Sequence, residues 1–256
     1  MQPNRDSLAT YTPTARRVDL ASVFAFAVLA LFATVRLITA DGSGLSVVAV
    51  VVGYLAADVG TGFVHWLFDT WFRVATPLVG QVFVRTFREH HVDPLAITRH
   101  DFVETNGSNC LATLPVLVTA LIVPAKTPSW HALSTWLVTL AVGVFLTNQF
   151  HQWAHMRDAP RVARVLYGLR LILSPEHHAR HHAAPFDTHY CITTGWMNGP
   201  LDRLGAFRAA EALIQRISGI GPRAEDTLLA DGIAPVGRLD DSSAPADASR
   251  PARRSR

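Results

Sequence analysis

The sequence predicts an all-α polytopic membrane protein with about four transmembrane helices and a cytoplasmic histidine-rich helical cap. Three observations lead there. Hydrophobic residues make up 49% of the 256 and charged residues only 17%, where a soluble domain carries about 25% charged. The apolar residues gather into four runs, 20–40, 45–68, 110–124 and 133–150, which a soluble core rarely needs. Basic residues flank these runs on one side of the implied membrane and are nearly missing from the other.

Residues 1–19 form a polar cytoplasmic segment, and no small-residue cleavage pattern follows the first apolar run, so that run is an uncleaved anchor. At about 1.5 Å per residue the 20–40 run crosses a hydrocarbon core of roughly 30 Å, with Arg36 near enough to its end to snorkel. Asp41, Gly42, Ser43 and Gly44 then make a tight turn. The second run carries Asp58 and His65 in an otherwise apolar stretch, and polar groups inside a membrane are costly enough to mark function. The third run is short and contains Pro115, so a start near Asn106 is the natural extension. The fourth follows a loop holding Pro124, Lys126 and Pro128. Residues 161–173 mix apolar and basic positions, as in a helix lying on a membrane surface. The spans and cap make one domain, 20–218, and 219–256 decays into a disordered tail ending in SRPARRSR, with a weak attraction to anionic lipid.

Orientation follows from the arginines. Arg5, Arg16 and Arg17 precede the first span, Arg73, Arg85, Arg88 and Arg99 lie in the 69–109 loop, and Arg157, Arg161, Arg164 and Arg170 follow the fourth. The other side holds Lys126 alone. Both termini are therefore expected in the cytoplasm, as for a protein of a bacterial-type inner membrane. No basic stripe is interleaved with aromatics, which argues against nucleic acid as a partner. Cys110 and Cys191 are the only cysteines, so disulfide frameworks, zinc ribbons and c-type haem attachment drop out.

The chemistry sits in twelve histidines. His65 falls seven residues after Asp58 and four before Asp69, which puts all three on one helix face. In REHHVDP the adjacent His90 and His91 diverge by about 100° on a regular helix, so one metal cannot take both without a second metal or an irregular turn. Glu89, Asp93, Asp101 and Glu104 are nearby acceptors able to fix imidazole tautomers. His151 and His155 in HQWAH stand one turn apart, a spacing that converges on one ion. In SPEHHARHH, Pro175 suits a helix start, His178 and His182 stand one turn apart, and His181 is offset by three from His178. The basic count places all four groups on one side of the membrane, and eight imidazoles suit two metals better than one zinc. Imidazole alone does not choose among Fe, Cu, Ni and Zn.

HQWAH followed by HARHH, with HWLFDTW, EHHVDP and ITRHDFVETNGSN upstream and PFDTHYCITTGWMN and GPLD downstream, resembles the histidine-box lipid desaturase family, whose members include plasmanylethanolamine desaturase and the plastid desaturase of phosphatidylglycerol. The resemblance covers residues 52–202. It implies a di-iron centre that uses molecular oxygen and two electrons to dehydrogenate a lipid chain. The implied metal ligands are His65, His90, His91, His151, His155, His178, His181 and His182. Asp69, Glu89, Asp93, His100, Asp101, Glu104, His177 and His189 are expected around them or as additional ligands, and His131 lies on the wrong side. In the ether-lipid branch the product is the vinyl ether bond of plasmalogens, made from an ether phospholipid. The alternatives are acyl-chain desaturation of a phospholipid such as phosphatidylglycerol and, from another class, a membrane metal transporter or sensor, which would put its ligands at the midplane. No G-x-G-x-x-G fingerprint occurs, so electrons are expected from a separate donor, a ferredoxin or a cytochrome b5 type protein with its reductase.

Overall fold

In a computed structural model the chain is described over residues 11–40, 45–73, 76–77, 79–183 and 186–222, the side chains of Leu45, Gln81, Val82, Arg88, His90 and Val92 excepted. It is all-helical there, with no strand among the described residues. Four helices are long and apolar enough to cross a membrane: α1 (Pro13–Thr39), α2 (Leu45–Thr70), α4 (Phe102–Ile122) and α5 (Pro128–His155). Between α2 and α4 a π-helical turn at Gly80–Val84 runs into α3 (Arg85–Val92), and a 3-10 turn occupies Ala96–Arg99. Beyond α5 come α6 (Arg161–Gly168), α7 (Pro175–His178), α8 (Asn198–Arg203) and α9 (Ala206–Ser218).

Three spans start earlier than their apolar runs, each for a capping reason. Thr12 accepts from the Ala15 N–H ahead of Pro13, so α1 begins at Pro13 and not at residue 20. Thr127 and Pro128 start α5 in the same way. Asp101 accepts from the N–H groups of Val103 and Glu104 and starts α4 eight residues before Cys110. The polar turns of α4 bond across to α5: Asn106 Nδ2 reaches Gln149 at 3.3 Å, Asn109 Nδ2 the Val144 carbonyl at 2.7 Å, and Asn148 Nδ2 the Thr105 carbonyl at 2.8 Å. The surface helix expected over 161–173 stops at Gly168. The tail expected from residue 219 begins at the left-handed Gly219 that ends α9, and its residues 223–256, like residues 1–10, lie outside the described residues.

Contacts at helix ends fix the relative directions. Arg16 pairs with Asp101, joining the starts of α1 and α4. The Arg36 guanidinium, near the end of its own span, donates to the carbonyls of Ala120 (2.9 Å), Leu121 (2.9 Å) and Val123 (2.5 Å), capping the end of α4. Ser46 bonds His131 at 3.0 Å, joining the starts of α2 and α5. So α1 runs parallel to α4, α2 runs parallel to α5, and the ends of α2 and α5 share one face of the bundle with the starts of α1 and α4.

α2 and α5 touch backbone to backbone through small residues, the usual means of close helix approach in membranes. A Cβ on Gly143 would stand 2.6 Å from the Ala57 Cβ, and one on Gly53 would stand 2.8 Å from the Trp136 carbonyl. Gly143→Val should therefore lower stability by about 1–3 kcal/mol, measured as a fall in thermal midpoint in detergent. Gly60→Ala, on α2 with nothing within 4 Å of the new methyl, should not lower it.

Candidate metal centre

The last turn of α5 presents His151 and His155 on one face. Ser174 caps α7 by accepting from the His177 N–H, and the chain continues in turns that bring His178 and His182 to the same point. His178 Nε2 lies 2.8 Å from His151 Nε2, 2.9 Å from His155 Nε2 and 3.0 Å from His182 Nε2. These four donors all lie within 4.8 Å of one another. Nitrogens at about 2.0–2.1 Å from one tetrahedral ion stand about 3.3–3.4 Å apart, so the spacing fits a cage around one ion.

A second cage takes His65 and Asp69 from the end of α2, His91 from α3 and His181 from the turn after α7, again with all donors within 4.8 Å. Asp69 Oδ2 is 3.1 Å from His65 Nε2, 3.1 Å from His91 Nε2 and 3.5 Å from His181 Nε2. His65 Nδ1 meets the Tyr190 carbonyl at 3.1 Å and His181 Nδ1 the Thr188 carbonyl at 2.8 Å. A carbonyl can only accept, so Nδ1 carries a proton in both rings; in the neutral ring this leaves the Nε2 lone pair facing the carboxylate, an arrangement that a cation shared among these donors would satisfy. Outside the spans, burial first and the neighbouring imidazoles second depress the pKa of His178 and His182, and burial takes His181 down to about 4, which keeps all three rings neutral donors. The two cages adjoin: ring centroids of His91 and His182 are 5.1 Å apart and those of His65 and His151 6.1 Å.

The carbonyls that orient His65 and His181 belong to a strap over residues 187–197, and the strap is pinned by Asp58. That carboxylate is fully buried. Its Oδ1 accepts from the N–H groups of Thr193 (3.1 Å), Thr194 (2.7 Å) and Gly195 (3.0 Å), and its Oδ2 from Met197 (3.1 Å). Thr193 Oγ1 joins Thr61 and Thr147 at 3.1 and 2.6 Å. Asn198 closes a bidentate pair with the Cys191 backbone and donates to His177 Nε2 at 3.1 Å.

Of the expected ligands, seven histidines therefore enter the two cages, and the side chain of His90 lies outside the described residues. Asp69, expected around the ligands or as an additional one, stands inside a cage as its acidic member. Glu89, His100 and Glu104 form a separate group on Arg85, whose guanidinium donates to Glu89 at 3.1 Å and Glu104 at 3.4 Å, with His100 Nε2 3.6 and 3.7 Å from the two carboxylates. His100, Glu104 and His151 line one cleft. Asp93 and Asp101 stand apart from the cages, because Asp93 pairs with Arg99 at 2.5 Å and Asp101 caps α4. His177 packs over Gly195, where burial, then the His189 ring, lowers its pKa, consistent with Nε2 as an acceptor. His189 is held by Asp202 at 3.0 Å. His131 sits at the far end of the bundle between Ser46 and the Leu37 carbonyl. Sequence reasoning missed the strap carbonyls, Asn198 and Gln152, whose amide bonds the carbonyls of Ile97 and His100. The seven-residue interval from Asp58 to His65 marked Asp58 but not its role.

A family model for the lipid desaturase domain matches residues 54–225, a stretch that takes in every member of both cages and the whole strap. The chain belongs to the lipid desaturase family. This desaturase is 45% identical over 218 residues to a protein named plasmanylethanolamine desaturase from Myxococcus xanthus, covering 84% of this chain and 78% of that one. It is 43% identical over 231 residues to plasmanylethanolamine desaturase 1 of Mus musculus, covering 87% and 85%. Chloroplastic fatty acid desaturase 4 of Arabidopsis thaliana is 33% identical over 177 residues, covering 67% of this chain and 52% of that protein. No solved structure matches the chain. The desaturase is thus a multi-pass membrane oxidoreductase acting on lipid, with two histidine clusters able to hold metal.

His178→Ala removes the nitrogen that meets three others and should cost the first cage its metal, read by elemental analysis of untagged protein, whereas His131→Ala should leave metal content unchanged. Asp58→Ala strips four N–H groups of their acceptor. At about 1.5 kcal/mol or more for each bond to a charged group, it should lower the thermal midpoint and the metal content together, while Asp58→Asn, which keeps the Oδ1 acceptor, should lose less of both.

Proposed function

We propose that this desaturase converts the alkyl chain of plasmanylethanolamine into the vinyl ether of a plasmalogen. The first and second carbons of the chain lose one hydrogen each, and these two hydrogens, with one O2, two electrons and two protons, leave as two waters. The observation that carries this reading is a pair of adjoining four-donor cages at the ends of α2 and α5 in a chain 45% and 43% identical to proteins named for that reaction. Depth supports it too. The reacting carbons adjoin the glycerol, which lies at the membrane interface, and His65 and His151 stand near the ends of their spans. A transporter would be expected to bind its cargo near the midplane.

In this reading two irons are held, one by His151, His155, His178 and His182 and the other by His65, Asp69, His91 and His181, with His90 as a further histidine donor. Iron with O2 supplies an oxidant strong enough for an unactivated methylene, which redox-inert zinc does not. The chain's own part is positional. Asp58 fixes the strap, and the strap carbonyls set the tautomers of His65 and His181. Ala154, which lies between the cage residues His151 and His155 in sequence, is buried with Leu173 and Ile192 in one apolar cluster, a dry neighbour suited to such chemistry. The distribution of basic residues supports cages on the cytoplasmic side, where an internal electron donor such as a ferredoxin or a cytochrome b5 type protein would reach them.

Expression in cells supplied with alkyl ether phospholipid should yield acid-labile aldehyde from the ethanolamine lipids, and purified untagged protein should carry about two irons per chain. Stoichiometric zinc without iron would end the di-iron reading, and unsaturation confined to acyl chains would move the substrate to the acyl class.

A further inference from the structure

The sequence ascribes a membrane-surface position to 161–173, but α9 presents the more complete pattern. One face of α9 is packed: Phe207, Ala210 and Ile214 join Trp66, Leu67 and Tyr190, and Glu211 accepts from Trp66 Nε1 at 2.8 Å. The adjacent face is apolar and open. Leu213 is 57% exposed, Ile217 77% and Ile220 63%, and Leu204 just ahead of the helix is 79% exposed. Positions 213, 217 and 220 form one row along the helix and the turn that follows it.

The charges sort by direction. The two acids between residues 198 and 222 are turned inward, Asp202 to His189 and Glu211 to Trp66. The three bases of the same stretch, Arg203, Arg208 and Arg216, are all exposed. Location then selects the occupant. Trp66, against which α9 packs, is in ring contact at 5.2 Å with Phe63, and Phe63 and Val64 are 48% and 40% exposed on the span α2. The lipid-facing surface of α2 continues onto α9 at the end of the span.

We infer that α9 is an interfacial helix that lies in an acidic membrane surface, its Leu213, Ile217 and Ile220 row among the acyl chains and Arg203, Arg208 and Arg216 at the phosphates. Water would leave this row exposed beside a bilayer able to bury it, and outward charge of one sign suits anionic headgroups. The seat also bears on the metal centre. Phe207 meets Tyr190 edge-to-face at a centroid distance of 4.9 Å, and the Tyr190 carbonyl orients His65. A membrane-held α9 therefore braces the strap from outside while Asp58 holds it from within.

The test uses the full chain in liposomes of phosphatidylethanolamine with phosphatidylglycerol, carrying an environment-sensitive fluorophore on Ile217→Cys or, as the control on another face of the helix, Gln215→Cys. Native Cys110 and Cys191 are buried and do not compete for label. Nitroxide-bearing lipid should quench the label at 217 at least about twofold more than at 215, and the difference should shrink when phosphatidylglycerol is omitted or when Arg208→Gln and Arg216→Gln are combined. Equal quenching at the two positions would overturn the inference, as would a difference indifferent to headgroup charge. Crosslinking of Ile217→Cys to a second copy without lipid quenching would assign the face to a dimer and overturn it as well.

Discussion

A fully buried carboxylate in the middle of a membrane span governs the geometry of this molecule. Among the described residues Asp58 is satisfied not by a cation but by four backbone N–H groups of a segment more than 130 residues away in sequence. A carboxylate in such surroundings is tolerable only when its lone pairs are occupied, and a loop inside a membrane protein is tolerable only when its N–H groups are. Each requirement is met by the other. The strap can therefore descend along α2, and its carbonyls arrive at His65 and His181 in a fixed position.

The two histidine cages then follow from helical periodicity. His178 and His182 are one turn apart and join His151 and His155, themselves one turn apart on α5, while His181, offset around the turn, faces the other way into the second cage. A single short segment thus feeds both sites and ties them together. Asp69 supplies the second cage with the anionic charge that the first lacks, so the two sites are chemically unequal. Unequal donors would tune metals held in the two sites differently, an asymmetry invisible in a count of histidines.

The bundle keeps these elements in register with means suited to lipid surroundings. Small residues let α2 and α5 approach closely, and asparagines and threonines bond across α4 and α5. Arg36 spends its charge on the carbonyl end of α4. These polar contacts stand where a soluble protein would rely on apolar packing, because lipid removes the hydrophobic drive for helices to associate.

The sequence by itself determined the number of spans, the placing of histidines one helical turn apart, and a family resemblance that the matched domain bears out, because apolar runs and i, i+4 spacing are local and fix which residues share a helix face. It misplaced the starts of α1, α4 and α5, since capping side chains and interhelical hydrogen bonds carry those helices past the ends of their apolar runs. Only the tertiary structure decided which histidines share a cage, that Asp69 joins one while Asp93 and Asp101 stand apart, and that Asp58 holds backbone. Those outcomes depend on where a strap far along the chain returns to α2, and on which lone pairs and N–H groups are left to satisfy one another once it is there.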